Sequence, residues 1–275
     1  MSDFATLEDV VGTYHDERQP RMGFFTDTSI CIGCKACEVA CKEWNLIPQD
    51  GQDFLARSYD NTGHLGSSTW RHVSFVERPV PLGGTLSNFS WLMMSDVCKH
   101  CARAGCLEAC PTGAIVRTEF GSVYVQPDIC NGCGYCVSAC PFGVVDRRGD
   151  DGRAWKCTLC YDRLKADLTP ACAKHCPTGS IQYGDLVELR VKARSRVEEL
   201  HAQGMGEAYL YGADPESQPG TGGLNAFFLL CDRPEKYNLP PDPVVPTKKV
   251  RRSWLSMGAA AVGLAALTLA AVVTP

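Results

Sequence analysis

The sequence predicts an α+β fold in which one small cysteine-rich module is inserted into another, with a transmembrane helix near the C-terminus. Three observations lead to this prediction. Sixteen of the 17 cysteines fall into four groups of four, short strand-like segments flank the groups, and twenty uncharged residues, 254–273, lie near the C-terminus. The 275 residues suffice for one or two domains with a substantial core.

The overall composition excludes several classes of protein. The net charge is only −4, so there is no polybasic signal for nucleic-acid binding. Seventeen cysteines are far more than an ordinary cytosolic protein carries, and an odd number cannot pair fully in disulfides within one chain. The N-terminal stretch MSDFATLEDVVGTYHDERQP has acidic residues and no apolar run, so we expect no secretory signal peptide there.

The cysteine spacing is the strongest motif. The first and third groups have the spacing C-x2-C-x2-C-x3-C, the second group lengthens the middle gap to four residues, and the fourth lengthens it to eleven. Proline directly follows the last cysteine of three groups. In chain order the groups are Cys31, Cys34, Cys37 and Cys41; Cys98, Cys101, Cys106 and Cys110; Cys130, Cys133, Cys136 and Cys140; and Cys157, Cys160, Cys172 and Cys176.

This spacing is typical of bacterial ferredoxins, in which the fourth cysteine of each run ligates the other [4Fe–4S] cluster of a pair. Three closely spaced cysteines let a tight loop wrap three corners of a cubane. We expect the fourth to begin a short helix that leads to the neighbouring cluster, and the proline to turn the chain away because it cannot continue a hydrogen-bonded helix. The sequence therefore predicts two nested ferredoxin-like modules with four [4Fe–4S] clusters.

Zinc and disulfides are the alternatives to iron. An all-cysteine zinc site needs two C-x2-C pairs separated by a longer loop, and only the fourth group approaches that pattern. The other three groups add a third cysteine two or four residues further on, which a zinc site does not need. The spacing therefore favours iron–sulfur clusters over structural zinc and over disulfides.

The segments between the groups predict how the groups pair. AIVRTEF and SVYVQ, on either side of a turn at Gly121, indicate a hairpin between the second and third groups. A strand-like WLMM precedes the second group and FGVV follows the third, so these two groups form a complete inner module. The first and fourth groups then pair by elimination in an outer module, flanked by MGFFTD and GSIQYGD.

Exchange of the fourth cysteine within each pair predicts four ligand sets. Site A is Cys31, Cys34, Cys37 and Cys176; site B is Cys157, Cys160, Cys172 and Cys41; site C is Cys98, Cys101, Cys106 and Cys140; site D is Cys130, Cys133, Cys136 and Cys110. Because all sixteen positions are cysteine, we expect complete four-iron clusters with no iron open to a substrate.

The predicted boundaries follow from this nesting. They are an N-terminal arm at 1–22, an outer module with insertions at 23–90 and 150–231, an inner module at 91–149, a Pro-rich extended linker at 232–252, and a transmembrane helix at 253–275.

Two further elements are predicted in the second part of the outer module. Residues 185–203 place apolar side chains at helical spacing, and Gly204 supplies a stop. The stretch NAFFLLC indicates a buried strand, which makes Cys231 a small core residue rather than a ligand.

The stretch from Trp254 to Val273 is long enough to cross a bilayer, since a helix of twenty residues spans about 30 Å. Four basic residues precede it, Lys248, Lys249, Arg251 and Arg252. Their position favours a cytoplasmic cluster domain on the inner face of the plasma membrane, with an extracytoplasmic domain as the alternative. The span contains no histidine, so any haem belongs to a partner.

No constellation of residues suggests catalysis. The chain lacks a Gly-rich nucleotide loop and a nucleophile motif, and its six histidines are dispersed. His100 and His175 lie beside cluster cysteines, where a surface or hydrogen-bonding role is expected. The sequence therefore predicts an electron carrier that is no enzyme on its own and needs an electron source and an electron sink on other chains.

Several stretches carry a resemblance to a known family: CIGCKACEVACKEWN, YDNTGHLGSSTW, CNGCGYCVSACPFGV, WKCTLCYDR and ACAKHCPTGSI. The cysteine framework resembles the iron–sulfur subunits of molybdopterin oxidoreductases, which bind four cubanes in two nested ferredoxin modules. Within that superfamily it is most similar to the beta subunits of membrane-bound formate dehydrogenases, over about residues 22 to 273. The stretches around Trp44-Asn45 and Tyr59-Asp60-Asn61 point to formate.

The resemblance implies two protein partners. One is a catalytic subunit with a molybdenum or tungsten pterin that oxidises formate, and the other is an integral membrane subunit, with cytochrome b or without haem, that passes electrons to quinone. Contact with membrane lipid is implied as well. The tail departs from the best-known members, which carry a longer charged segment after the helix. The alternative is the same relay in a polysulfide- or nitrite-reductase-like complex.

Overall fold

The computed structural model describes residues 20–49, 54, 56, 59–77 and 91–273. The predicted N-terminal arm up to residue 19, and the segment 78–90 of the predicted outer module, lie outside the described residues.

Short strands and mostly short helices make up the described fold. The strands are β1 (Met22–Asp27), β2 (Arg71–Glu77), β3 (Trp91–Val97), β4 (Ile115–Arg117), β5 (Val123–Val125), β6 (Asp146–Arg147), β7 (Ala154–Trp155), β8 (Ile181–Asp185), β9 (Tyr209–Tyr211) and β10 (Ala226–Leu230). The helices are α1 (Ala36–Asn45), α2 (Gly105–Glu108), α3 (Tyr135–Ala139), α4 (Tyr161–Lys165), α5 (Ala171–Lys174), α6 (Leu186–Ala202) and α7 (Val250–Val273).

The largest sheet has four strands in the order β8-β1-β10-β9. Strand β1 runs antiparallel to β8 and parallel to β10, with Phe25 opposite Gln182 on one side and Phe227 on the other. The strand before the first cysteine group is therefore paired with the strand after the fourth group. This pairing brings the two ends of the predicted outer module together.

The remaining strands form three two-stranded ribbons. The predicted hairpin between the second and third groups is confirmed as β4–β5, and Gly121 lies between them with φ 76°. The other two strands predicted for the inner module behave differently. WLMM opens β3, which pairs with β2 along seven residues, and FGVV forms no strand. Gly143 in FGVV has φ 62°, which extended strand geometry does not allow.

Helix α6 confirms the helix predicted from hydrophobic spacing. The Asp185 carboxylate caps its first turn by accepting hydrogen bonds from the N–H groups of Val187 and Glu188. Its buried side chains pack with β10 and β1 into one apolar cluster, while a second apolar cluster surrounds the cysteines. Cys231 is partly buried and packs against the first of these clusters.

The Pro-rich segment lies against the rest of the chain, with Tyr237, Leu239 and Val245 buried. Helix α7 follows it, and its described side chains, Val250 and residues 253–268, are exposed. Among the residues that the structure describes, no helix combines the length and apolar character needed to cross a membrane. The fold therefore does not show the transmembrane span predicted from the sequence.

Candidate iron–sulfur sites

A short helix joins the third and fourth cysteines in every group. The third cysteine lies in the first two residues of α1, α2, α3 or α5, and the fourth lies in or just after the same helix. One helical turn therefore separates the two sulfurs. The sequence prediction that the fourth cysteine begins the helix is wrong, because the helix starts at or just before the third cysteine. Helices α2, α3 and α5 thus have a cysteine near each end, whereas Cys41 lies in the middle of the longer α1.

The loop that carries the first two cysteines of each group contains a backbone turn in the same place. The residue just before the second cysteine is left-handed in all four groups, with φ 66° at Gly33, 43° at His100, 71° at Gly132 and 60° at Leu159. At two of these positions the neighbouring atoms leave no free space for a side chain. A Cβ on Gly33 would overlap the Met93 sulfur, and one on Gly132 would overlap the carbonyl oxygen of Gly152. The turns fold each loop around a common centre.

Sites A and C each surround a cavity. The four site A cysteines line one cavity, together with Ser95 and Ile181. The four site C cysteines line another, together with His100 and Val123. Within the described residues, no group of three or more His, Cys, Asp or Glu side chains is placed to hold a single metal ion.

Sites B and D are assembled in the same way from distant segments. Burial raises the pKa of Cys41 well above its ordinary value, and the three other cysteines of site B raise it further. Burial likewise raises the pKa of Cys136 to about 11, with additional contributions from the other three cysteines of site D. The structure therefore brings the fourth cysteine of one group next to the first three cysteines of its partner group.

Neighbouring thiols also give the order of the four sites. The pKa of Cys37 in site A is raised to about 12, first by burial and then also by Cys172 of site B. Burial raises the pKa of Cys157 in site B, and Cys98 of site C raises it further. Burial raises the pKa of Cys106 in site C to about 12, with Cys136 of site D among its neighbours. The sites therefore follow one another in the order A, B, C, D.

Hydrogen-bond donors surround the sulfurs. Arg71 Nη2 donates to Cys172 Sγ at 3.2 Å, and the N–H groups of Leu159 and Ala154 donate to Cys157 and Cys130 at 3.3 and 3.4 Å. Such donors stabilise thiolate ligands and tune the reduction potential of a cluster. The sulfur environments therefore have the polarity that iron–sulfur ligands need.

Two buried cations give a test of whether clusters fit here. Arg71 and Lys156 are 1% and 2% exposed, and among the described residues neither pairs with a carboxylate. Lys156 Nζ donates to the carbonyl oxygens of Val123 and Cys157, which are neutral, and a buried charge without a counter-charge is costly. A cluster held by four thiolates is anionic and supplies that counter-charge. The residues therefore fit [4Fe–4S] clusters.

The hydrogen bonds of the two histidines beside the cysteine groups go to backbone atoms and not to a sulfur. His100 is buried and its Nδ1 accepts a hydrogen bond from the Val123 N–H at 3.0 Å, while His175 is exposed and contacts the Ala171 carbonyl oxygen at 2.9 Å. The hydrogen-bonding role expected for both is therefore present.

Sequence reasoning missed Arg71, Ser95 and Lys156, which lie beside the cysteines of the sites. Arg71 lies between the first and second cysteine groups, Ser95 lies three residues before Cys98, and Lys156 directly precedes Cys157.

Comparison with known proteins agrees with this geometry. Residues 30–115 and 89–186 each match a family described as a 4Fe-4S dicluster domain. Two such matches define a four-cluster iron–sulfur protein.

Three relatives are informative. The chain is 41% identical to the formate dehydrogenase iron-sulfur subunit of Haemophilus influenzae, over 90% of this chain and 77% of the relative. It is 43% identical to the nitrate-inducible formate dehydrogenase iron-sulfur subunit of Escherichia coli, over 80% and 73%. It is 36% identical to the B subunit of the anaerobic dimethyl sulfoxide reductase of Escherichia coli, over 62% and 76%. The chain belongs to the family of formate dehydrogenase iron-sulfur subunits.

Proposed function

We propose that this chain relays electrons from a molybdenum- or tungsten-pterin formate dehydrogenase subunit to a quinone-reactive membrane subunit. The observation that carries the proposal is the row of four cysteine sites, each next to the following one. Each bound cluster would accept and donate one electron at a time. Four clusters in a row would connect the surface at Cys34 of site A with the surface at Cys133 of site D.

The predicted ligand sets are part of this proposal. Sites A, B, C and D hold one [4Fe–4S] cluster each, with the fourth cysteine exchanged between partner groups. The support is the convergence of each set in the fold, around a cavity at sites A and C and by proximity of the thiols at sites B and D.

The two ends of the row differ in what lies beside them. Gly105, next to Cys106 of site C, faces Val245 and Pro246 just before α7. Glu108, two residues before Cys110 of site D, accepts a hydrogen bond from Thr247 Oγ1. Helix α7 therefore starts beside sites C and D. We assign the membrane partner to the site D end and the catalytic partner to the site A end.

The membrane association of α7 belongs to the same proposal. Four of its large apolar side chains, Trp254, Leu255, Val262 and Leu267, are each at least 66% exposed. A helix that is apolar on all sides needs an apolar cover, which lipid and the membrane subunit would supply. The basic residues Lys248 and Lys249 before it favour an orientation in which α7 lies in the plasma membrane and the cluster domain faces the cytoplasm. Protease treatment of spheroplasts tests this orientation. Digestion of an epitope at Ser2, while a cytosolic marker stays intact, would contradict it.

The experiment that tests the relay is anaerobic purification of the complex with its partners. We expect about sixteen irons and sixteen acid-labile sulfides per chain, because each [4Fe–4S] cluster contributes four of each. Formate should reduce the clusters, and mass spectrometry should identify the large subunit that co-purifies. About four zincs per chain with no labile sulfide would overturn the proposal.

A second candidate is the same relay in a different molybdopterin complex. It is favoured by the similarity to the B subunit of the dimethyl sulfoxide reductase, which covers 62% of this chain. The formate relatives cover 80% and 90% of the chain, so they support formate more strongly. Oxidation of reduced clusters by dimethyl sulfoxide, together with no reduction by formate, would favour the second candidate.

A further inference from the structure

The first residue of β2 reaches from the sheet ribbon into the cysteine core. Arg71 is 1% exposed, and its Nη2 donates to Cys172 Sγ of site B at 3.2 Å. Its Nη1 donates to the backbone carbonyl oxygen of Ser95 at 3.2 Å, and the guanidinium lies 4.8 Å from the centre of the Phe24 ring. The guanidinium is therefore held on three sides by groups that carry no negative charge of their own, apart from the sulfur.

Ser95 extends this contact to the neighbouring site. It lies on β3, paired with Val73 of β2, and its Oγ is 3.1 Å from Cys37 Sγ of site A. When Cys37 is a thiolate ligand, the hydroxyl must be the donor, because a thiolate has no proton to give. Arg71 and Ser95 together thus connect a sulfur of site B to a sulfur of site A, across 101 residues of sequence in one case and 58 in the other.

The charge on Arg71 is held by the cysteines. Burial alone would lower the pKa of Arg71, but the sulfurs of Cys172, Cys37 and Cys157 raise it above its usual value. An arginine side chain stays protonated at every pH at which the protein is folded. The positive charge between sites A and B is therefore permanent.

We propose that Arg71, acting directly on site B and through Ser95 on site A, raises the reduction potentials of both clusters. This inference rests on the proposed presence of clusters at sites A and B. Reduction adds one electron to a cluster without making or breaking a bond, so the anionic charge grows. A fixed cation and hydrogen bonds to the ligand sulfurs stabilise the reduced form more than the oxidised form. One side chain thus adjusts two successive steps of the relay.

Potentiometric titration of the intact complex, with dithionite and redox mediators and electron paramagnetic resonance as the readout, tests this inference. In Arg71→Met we expect two of the four cluster signals to shift to lower midpoint potential. In Ser95→Ala we expect only the site A signal to shift. Arg71→Lys restores the charge and should bring both potentials back towards the wild-type values, which a packing defect alone would not do.

Arg196→Met is the matched control. Arg196 is a partly buried arginine whose hydrogen bonds go to Asp27, Ser29 and Glu199, and none of them reaches a sulfur. All four potentials should stay unchanged in this variant. If Arg71→Met fails to assemble its clusters, Ser95→Ala still decides, since it retains the Arg71 cation and removes only the hydroxyl beside Cys37.

Unchanged potentials in Arg71→Met with full iron content would overturn the inference, as would unchanged site A potential in Ser95→Ala. Neither result touches the proposed function, because the titration does not use formate. Conversely, shifted potentials in a complex that formate does not reduce would support the inference and contradict the proposed function.

Discussion

Sites B and D each consist of four cysteines, but the surroundings of the two sets are opposite. All four cysteines of site B are buried, with Arg71 and Lys156 close to them. In site D, Cys133 is exposed and two other cysteines are partly exposed. The spacing of ligands along the chain therefore does not decide how the charge of a cluster is stabilised.

The difference lies in which groups face the sulfurs. Burial would raise the pKa of Cys110 in site D, but hydrogen bonds from Thr112 and from the N–H groups of Ile115, Thr112 and Ala114 lower it below the usual value. In site B, burial dominates and the pKa of Cys160 is about 11. At Cys110, site D thus relies on backbone N–H groups and a hydroxyl, whereas site B has two buried cations beside its sulfurs in addition to backbone donors. Iron must displace protons from the site B thiols when the cluster is assembled.

Removal of one ligand should have the largest effect and should separate the two sites. Cys41→Ser should lower the iron content from about sixteen to about twelve per chain, because the site B cluster is lost. It should also lower the Tm strongly, since site B lies within the apolar core. Cys110→Ser should remove the site D cluster with a smaller fall in Tm. Anaerobic iron analysis and calorimetry measure both quantities.

Cys231→Ala is the control for these variants, and it should leave the iron content unchanged because Cys231 lies outside the four cysteine groups and does not line the cavity of site A or site C. Loss of the site A signal in Cys41→Ser, with site B intact, would contradict the exchange of the fourth cysteine.

The backbone turn of site D can be tested without touching a sulfur. Gly132→Ala places a Cβ at φ 71° and against the Gly152 carbonyl oxygen, so the loop must shift. The left-handed conformation alone costs about 1–2 kcal/mol for a residue with a Cβ, and the overlap adds to it. We expect partial loss of the site D cluster with sites A, B and C retained.

Gly143→Ala is the matched control, because Gly143 has φ 62° but no neighbour within 4 Å of the position that a Cβ would take. If both variants lose the same amount of iron, backbone strain rather than the close approach at Gly152 accounts for the effect.

Exposure to air gives a third way to separate the two sites. Oxidants reach Cys133 directly, whereas the site B sulfurs are shielded by protein. The site D signal should therefore disappear several times faster than the site B signal when the purified complex is exposed to oxygen. Time-resolved electron paramagnetic resonance follows both signals, and equal rates would show that exposure does not control their decay.

Much of the fold follows from local patterns. The sequence predicts the β4–β5 hairpin, the helix α6 and the strand β10, because a turn glycine, a helical repeat and an apolar run are each contained in one short stretch. It does not predict the ribbon of β2 and β3. The flanking position of WLMM suggests an inner-module strand, but its partner is β2, which precedes it in the chain and lies outside the predicted inner module. Pairing over such distances leaves no local signal.

The candidate sites divide in the same way. The cysteine sets follow from spacing plus one rule, the exchange of the fourth cysteine, and they stay a prediction. The fold lines one cavity with the site A cysteines and another with the site C cysteines. The groups that face the sulfurs come from distant segments, such as Arg71 with Cys172. Their side chains are ordinary in sequence, and only the tertiary structure shows that they point at a ligand.

The smallest expected effect concerns one amide beside site B. Asn45 Nδ2 donates to the Cys41 carbonyl oxygen at 2.9 Å and lies 3.7 Å from Cys41 Sγ. Asn45→Ala removes these contacts, and a single hydrogen bond of this kind contributes about 0.5–1.5 kcal/mol. The site B potential should fall slightly, by less than in Arg71→Met, while the iron content stays complete.

Trp44→Phe is the control for the amide, because Trp44 Nε1 donates to Asp162 at 2.8 Å and this hydrogen bond does not involve a sulfur. It should leave the site B potential unchanged although it alters the same turn of α1. A fall in potential that is equal in both variants would mean that the position of α1, and not the Asn45 amide, controls site B. A fall confined to Asn45→Ala would show that even the site with two buried cations depends on a neutral donor at its sulfur.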